Sequence, residues 1–187
     1  MFLNVSDIFE GQLVSTRTCQ RCFHSFTGNQ PFKHYSLQMD LPSTNEIQPL
    51  DLCKLMHHFH QTENLYDSHC EHCNTYTDSK KKLSIITLPK ILVIHLSRFR
   101  GLQKINEYVR FNAQVSIKYN IDGNEYNKQY RIMGINVHVG SSIANGHYIA
   151  YIRAGEKWFK INDNTVSAVR WSTVRRKKAY LLFYEQI

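Results

Sequence analysis

The sequence contains no apolar run long enough to cross a bilayer. Its first residues, MFLNVSDIFEG, have neither the basic start nor the small-residue cleavage site of a secretory signal. A membrane or secreted protein is therefore not expected, and the chain reads as soluble and intracellular, in cytoplasm or nucleus. Internal repeats, low-complexity tracts and Pro/Gly/Ser-rich linkers are also missing, which argues against a solenoid or tethered domains. At 187 residues the chain can bury one core, and its two halves are expected to share one fold.

Acidic residues are few. Fifteen Asp and Glu against 23 Lys and Arg leave a formal charge of +8 and a pI near 9.3. Such a balance suits an acidic partner such as RNA or DNA. The excess is scattered, however, and only Lys80-Lys81-Lys82 and Arg175-Arg176-Lys177-Lys178 form runs, which read as solvated turns or strand ends. With no recognition helix and no base-stacking aromatic stripe, nucleic acid is not the expected partner, and a zinc-dependent nucleic-acid binder is the weakest reading.

What is present leans toward strands: 12% aromatic residues, with 11 Tyr and 10 Phe. Short alternating segments over 11–41, separated by Gly28-Asn29 and Pro31, predict hairpin strands with a Cys pair in their first turn. Leu52, Leu55, Met56 and Phe59 recur at helical spacing, with Pro49 near the start, and predict one amphipathic helix over 50–65. Residues 66–82 are polar. Segments 83–88 and 91–99, broken by Pro89, read as neighbouring strands, the second buried. Further strands are expected over 130–139, 147–153, 157–161 and 179–184, giving a mostly antiparallel sheet in an α+β fold.

Four of the five cysteines form two pairs, Cys19-Gln20-Arg21-Cys22 and Cys70-Glu71-His72-Cys73. Two residues between thiols is the spacing at which a tight turn aims both sulfurs at one tetrahedral ion, and two such turns close a site. Zinc suits four soft thiolates without redox chemistry. The long separation of the pairs predicts one structural Zn²⁺ tying two hairpin tips together. His24, His69 and His72 lie near enough in sequence to replace a Cys. Cys53, inside the amphipathic segment, reads as a core or boundary residue with nothing nearby to lower its pKa.

His147 follows Gly146 and opens the strand Gly146-His147-Tyr148-Ile149-Ala150-Tyr151 after a polar loop over 140–145. A turn at Ala154-Gly155-Glu156 returns the chain so that Asn162 and Asp163 should meet His147. A His whose Nδ1–H is held by an amide or carboxylate oxygen would keep Nε2 free to take a proton from a thiol.

Together these residues resemble the ubiquitin-specific protease family of cysteine deubiquitinases. Phe9-Glu10-Gly11-Gln12-Leu13 with the first Cys pair resembles the entry into the family's zinc-binding fingers, and the second pair resembles the other half of the metal site. Leu88-Pro89-Lys90-Ile91-Leu92-Val93-Ile94-His95-Leu96-Ser97-Arg98-Phe99 is similar to a family strand signature. The segment from Gly146 resembles its histidine box, and Ala179-Tyr180-Leu181-Leu182-Phe183-Tyr184 its closing strand.

The resemblance implies a papain-like cysteine protease fold with a β palm (about 86–187) and zinc-bearing β fingers (about 9–85). It implies cleavage after the C-terminal glycine of ubiquitin, so that ubiquitin and ubiquitinated proteins become the partners. His147 takes the role of base and then acid. Asn162 takes the orienting role, with Asp163 as its rival, because neighbours on an extended strand face opposite ways. Gly146 and Tyr148 fall at the substrate, and loops 101–106 and 140–145 would shape the glycine channel.

The departure from the family is that no Cys precedes Cys19. The thumb with its nucleophile is therefore expected from an upstream segment or another chain, and the chain alone is expected to be inactive. A catalytically dead module that binds ubiquitin or an adaptor is the alternative.

Overall fold

The computed structural model of the chain describes residues 4–39, 50–101, 103–142 and 144–187. Leu41 and Pro49, expected at a strand end and a helix start, lie outside them. The elements run α1 (Ser6–Phe9), β1 (Gly11–Cys19), β2 (Ser25–Phe32), β3 (Tyr35–Gln38), β4 (Leu50–Asp51), α2 (Leu52–Phe59), β5 (Glu63–Cys70) and β6 (Thr75–Thr87). They continue with β7 (Ile91–Ser97), β8 (Phe99–Arg100), β9 (Gln103–Lys104), β10 (Val109–Arg110), β11 (Gln114–Ile121) and β12 (Asn124–Val139). The chain closes with β13 (His147–Ala154), β14 (Lys157–Asn162), β15 (Thr165–Val169), α3 (Trp171–Val174) and β16 (Leu181–Gln186).

Two sheets carry this architecture. The first has the order β2-β1-β6-β5, all antiparallel. The second has the order β15-β14-β13-β12-β16-β7-β3, with β11 added to β12 and only β3 parallel to its neighbour. A mostly antiparallel sheet with few helices is the fold class expected. The large sheet buries one face: Leu92, Ile94 and Leu96 of β7 and Leu182 and Tyr184 of β16 are fully buried, as is Tyr130 of β12. Each such side chain contributes about 1.5–3 kcal/mol relative to exposure. Among the described residues no helix is long and apolar enough to cross a membrane.

Several boundaries differ from expectation. The helix spans Leu52–Phe59 and not 50–65. Asp51 caps its start, accepting from the Cys53 amide at 2.9 Å, and the chain past His60 is drawn into β5 by pairing with β6. The polar segment 66–82 is therefore largely strand, since Glu63–Cys70 and Thr75–Thr87 form one long hairpin. Segments 83–88 and 91–99 are not neighbours: Pro89 marks the point where the chain leaves the first sheet for the second. Gly28, Asn29 and Pro31 lie within β2, where an edge position tolerates a residue without an N–H. Burial along β7 alternates, so one face is buried and the other half-exposed. Strands β11 and β15 were not anticipated.

Candidate functional site

His147 is the first residue of β13 and pairs with Val139 at the end of β12. Gly155, at φ +59°, turns the β13–β14 hairpin tightly, and Ala150 pairs with Ile161. Continuing that register puts Asn162 opposite Ile149, two residues from His147 and on the same sheet face, a diagonal within reach of long polar side chains. The two side chains meet: His147 Nε2 is hydrogen-bonded to Asn162 Oδ1. Asp163 lies in the two-residue turn that joins Asn162 to Thr165, at φ +49°, and is not on extended strand. Its Oδ2 stands 4.0 Å from the same His147 nitrogen, with the carboxylate largely in solvent.

One expectation is reversed here. The nitrogen engaged is Nε2 and not Nδ1, because Asn162 approaches from further along β14 and meets the far side of the ring. Among the described residues Nδ1 has no hydrogen-bond partner, and the imidazole is 43% exposed. The ring therefore offers Nδ1 outward.

Behind His147 the end of β12 and Gly140 are held by side chains that the sequence does not single out. Lys104 Nζ donates to the carbonyls of His138 and Gly140 at 2.8 and 2.7 Å. Arg98, fully buried, donates to the carbonyls of Ala179, Ile105 and Glu107, which anchors the chain around β8 and β9 against the start of β16. Burial lowers its pKa to about 10, still far above neutrality. His138 is buried with Nδ1 unpartnered, and its ring lies against Tyr148 and Phe99 at 5.0 and 5.5 Å. A His four residues after Gly134 and a Lys in a polar loop carry no sequence signal of this packing. Gly146 lies against the His138 ring, while Tyr148 faces away from His147 and is half-exposed.

The four paired cysteines converge. Cys19 and Cys70 end β1 and β5, and the order β2-β1-β6-β5 sets the tips of the two hairpins side by side. Their sulfurs all lie within 4.8 Å of one another, with Cys19–Cys73 at 3.9 Å and Cys22–Cys70 at 3.7 Å. Those separations are far beyond a disulfide bond, and they match the ~3.8 Å edge of a tetrahedron built on ~2.3 Å metal–sulfur bonds. The backbone N–H groups of Cys22 and Arg21 pull the Cys19 thiol down to about 6, while burial pushes Cys73 up to about 12. The cluster can thus hold a metal ion. His24 and His72 stack on each other at 4.4 Å beside it and stay outside the ligand set.

Cys53 is exposed in the first turn of α2, not in the core. Helix N-termini favour thiolates, yet burial of its surroundings and the Asp51 carboxylate raise its pKa. It has the character of a neutral thiol.

The architecture is that of known deubiquitinating enzymes. A solved structure of the SAGA Ubp8/Sgf11/Sus1/Sgf73 DUB module bound to ubiquitin aldehyde superposes with a TM-score of 0.82 at 32% identity, covering 98% of this chain and 42% of that one. The module bound to monoubiquitin matches at a TM-score of 0.80 and 30% identity, covering 98% of this chain and 42% of that one. Residues 2–184 match the family model for ubiquitin carboxyl-terminal hydrolase, and the chain belongs to that family, the ubiquitin-specific proteases. It is 33% identical to ubiquitin carboxyl-terminal hydrolase 8 of Saccharomyces cerevisiae over 96% of this chain and 41% of that protein. Identity is also 33% to ubiquitin carboxyl-terminal hydrolase 2 of Gallus gallus, over 97% of this chain and 52% of that protein. The chain thus spans about half, or less, of the length of these relatives.

Proposed function

We propose that this chain supplies the base and the structural metal site of a thiol-dependent ubiquitin hydrolase. The observation that carries the reading is the His147–Asn162 pair where β13 begins and β14 ends, with Nδ1 facing outward. In this reading Nδ1 takes the proton of a cysteine thiol, and the thiolate attacks the carbonyl of the C-terminal glycine of ubiquitin. The imidazolium then protonates the departing amine, and a thioester forms. His147 next deprotonates the water that hydrolyses the thioester and returns the thiol. Asn162 Oδ1 accepts the Nε2–H throughout and fixes the tautomer; an uncharged acceptor suffices because the thiolate is the counter-charge.

None of the five cysteines is suited to be that nucleophile: four form the quartet, and Cys53 is a neutral thiol on α2. The nucleophile therefore comes from a thumb segment outside these residues, upstream or on another chain, and the chain alone is inactive. The first part of the chain, about 9–85, acts as fingers and holds one structural Zn²⁺ on Cys19, Cys22, Cys70 and Cys73. The second half, about 86–187, acts as palm, with Gly146 and Tyr148 beside the ubiquitin tail. Ubiquitin and ubiquitinated proteins are the partners, in cytoplasm or nucleus.

The test is hydrolysis of a fluorogenic ubiquitin C-terminal substrate. The chain alone should be silent. Joined to the thiol-bearing segment of the yeast hydrolase 8, it should turn over substrate, and His147→Ala should abolish that turnover. Activity in the isolated chain that vanishes in Cys53→Ser would sink the assignment.

A further inference from the structure

On the same face of the large sheet as His147, but at the opposite end of β13 and β14, lies an open depression of about 760 Å³. Arg153 stands six residues from His147, so the two sites are roughly 20 Å apart at the ~3.3 Å rise of a strand. The depression is walled by Trp158 and Trp171, whose rings lie 5.2 Å apart. Around it stand Arg131, Arg153, Lys157 and Arg170, against the single carboxylate of Glu156.

These cations are not equally committed. Arg153 is used structurally, donating to the carbonyls of Ile132 and Gly155 and pairing with Glu185. Arg131, on β12 three strands in from β15, has its Nε buried without a hydrogen-bond partner. Arg170 and Lys157 are exposed, and neither side chain makes a hydrogen bond or ion pair among the described residues. Glu156 is almost fully in solvent, and its one ion pair, at 4.0 Å, is with Arg153. The depression is therefore electropositive and under-satisfied.

Strand β15 borders it, contributing Ala168 and Val169. It ends the sheet, pairing with β14 alone among the described residues, and reads Thr-Val-Ser-Ala-Val with no charge and no proline to blunt its edge. An unblunted edge is a template for a further strand.

We propose that this corner is a docking site for an acidic peptide segment of a partner protein, which adds as a strand to β15 and places carboxylates against Arg170 and, one strand further in, Lys157. An extended peptide matches both features: its backbone completes the β15 edge, and its acidic side chains answer the unpaired cations. Nucleic acid matches only the charge, since it cannot complete the edge and Trp158 is too buried to stack on a base.

The test uses the chain itself, because Trp158 and Trp171 are its only tryptophans and emission excited where only tryptophan absorbs reports this corner alone. A peptide of alternating Glu and Val, long enough to cover β15, should give a saturable emission change. The response should weaken at least tenfold in Lys157→Gln/Arg170→Gln, which alters only exposed side chains and so separates loss of binding from loss of fold, and vanish when the peptide backbone is N-methylated on its pairing edge. No emission change, an equal response to a Lys/Val peptide, undiminished binding of the N-methylated peptide, or tighter binding of a single-stranded oligonucleotide would each overturn the proposal.

Discussion

His138 fills the space that a side chain at Gly146 would need: a Cβ there would lie 1.8 Å from the His138 Nε2. The ring cannot swing away, because it is buried against Phe99, Tyr148 and Tyr180. This pair sets the path by which the chain enters β13, one residue before His147. Gly146→Ala should cost ~1–3 kcal/mol of stability through overpacking. Denaturant unfolding should also show the cost largely removed in the His138→Ala background, since that change removes the ring against which the added Cβ clashes and the two cannot be additive.

The contact between His147 and Asn162 should separate two neighbouring residues kinetically. In an active enzyme assembled as described above, Asn162→Ala is expected to lower kcat/KM by roughly 10²–10⁴ through loss of the orienting acceptor. Asp163→Ala should cost less than about tenfold, because its carboxylate is solvated and a full 4.0 Å away. Equal losses in the two variants would reverse the assignment.

Removing metal from the cysteine quartet should leave four thiols crowded within 4.8 Å with nothing to share their charge. Purified protein should carry about one zinc per chain, measured by atomic emission. Chelation, or Cys70→Ser, should lower Tm by about 10 °C or more, since each kcal/mol moves Tm by about 2–4 °C in a domain of this size.

Acid should destabilise the fold through its buried and half-buried imidazoles. Burial lowers the pKa of His60, His95 and His138 below the usual 6.5. A group whose folded pKa lies below its unfolded one binds more protons when unfolded. Its contribution is therefore full above about 6.5 and is lost as pH falls from there toward the folded value. Urea midpoints should decline below pH 6.5, and His138→Gln should flatten part of that slope.

The hairpin that brings Asn162 to His147 was legible because Gly155 and the strand lengths fix its register. The quartet was legible because Cys-x-x-Cys is a local geometry. Strand β5 was not: its residues are mostly exposed, so no apolar alternation betrays it, and its form is dictated by pairing with β6. Similarly, Pro31 reads as a strand breaker until β2 is known to be an edge. Which nitrogen of His147 meets Asn162 depends on ring rotation, and Lys104 and His138 act through contacts distant in sequence.

Sheet order gives the quartet a kinetic meaning. Cys22 and Cys70 are 48 positions apart, and β6 must slot between β1 and β5 before all four sulfurs meet. The intervening loop includes β3, which belongs to the other sheet. Metal capture therefore cannot nucleate this region early; it latches a ribbon already assembled. Once latched, the ribbon has no free tip from which to unzip, so the metal should act chiefly as a brake on the unfolding rate.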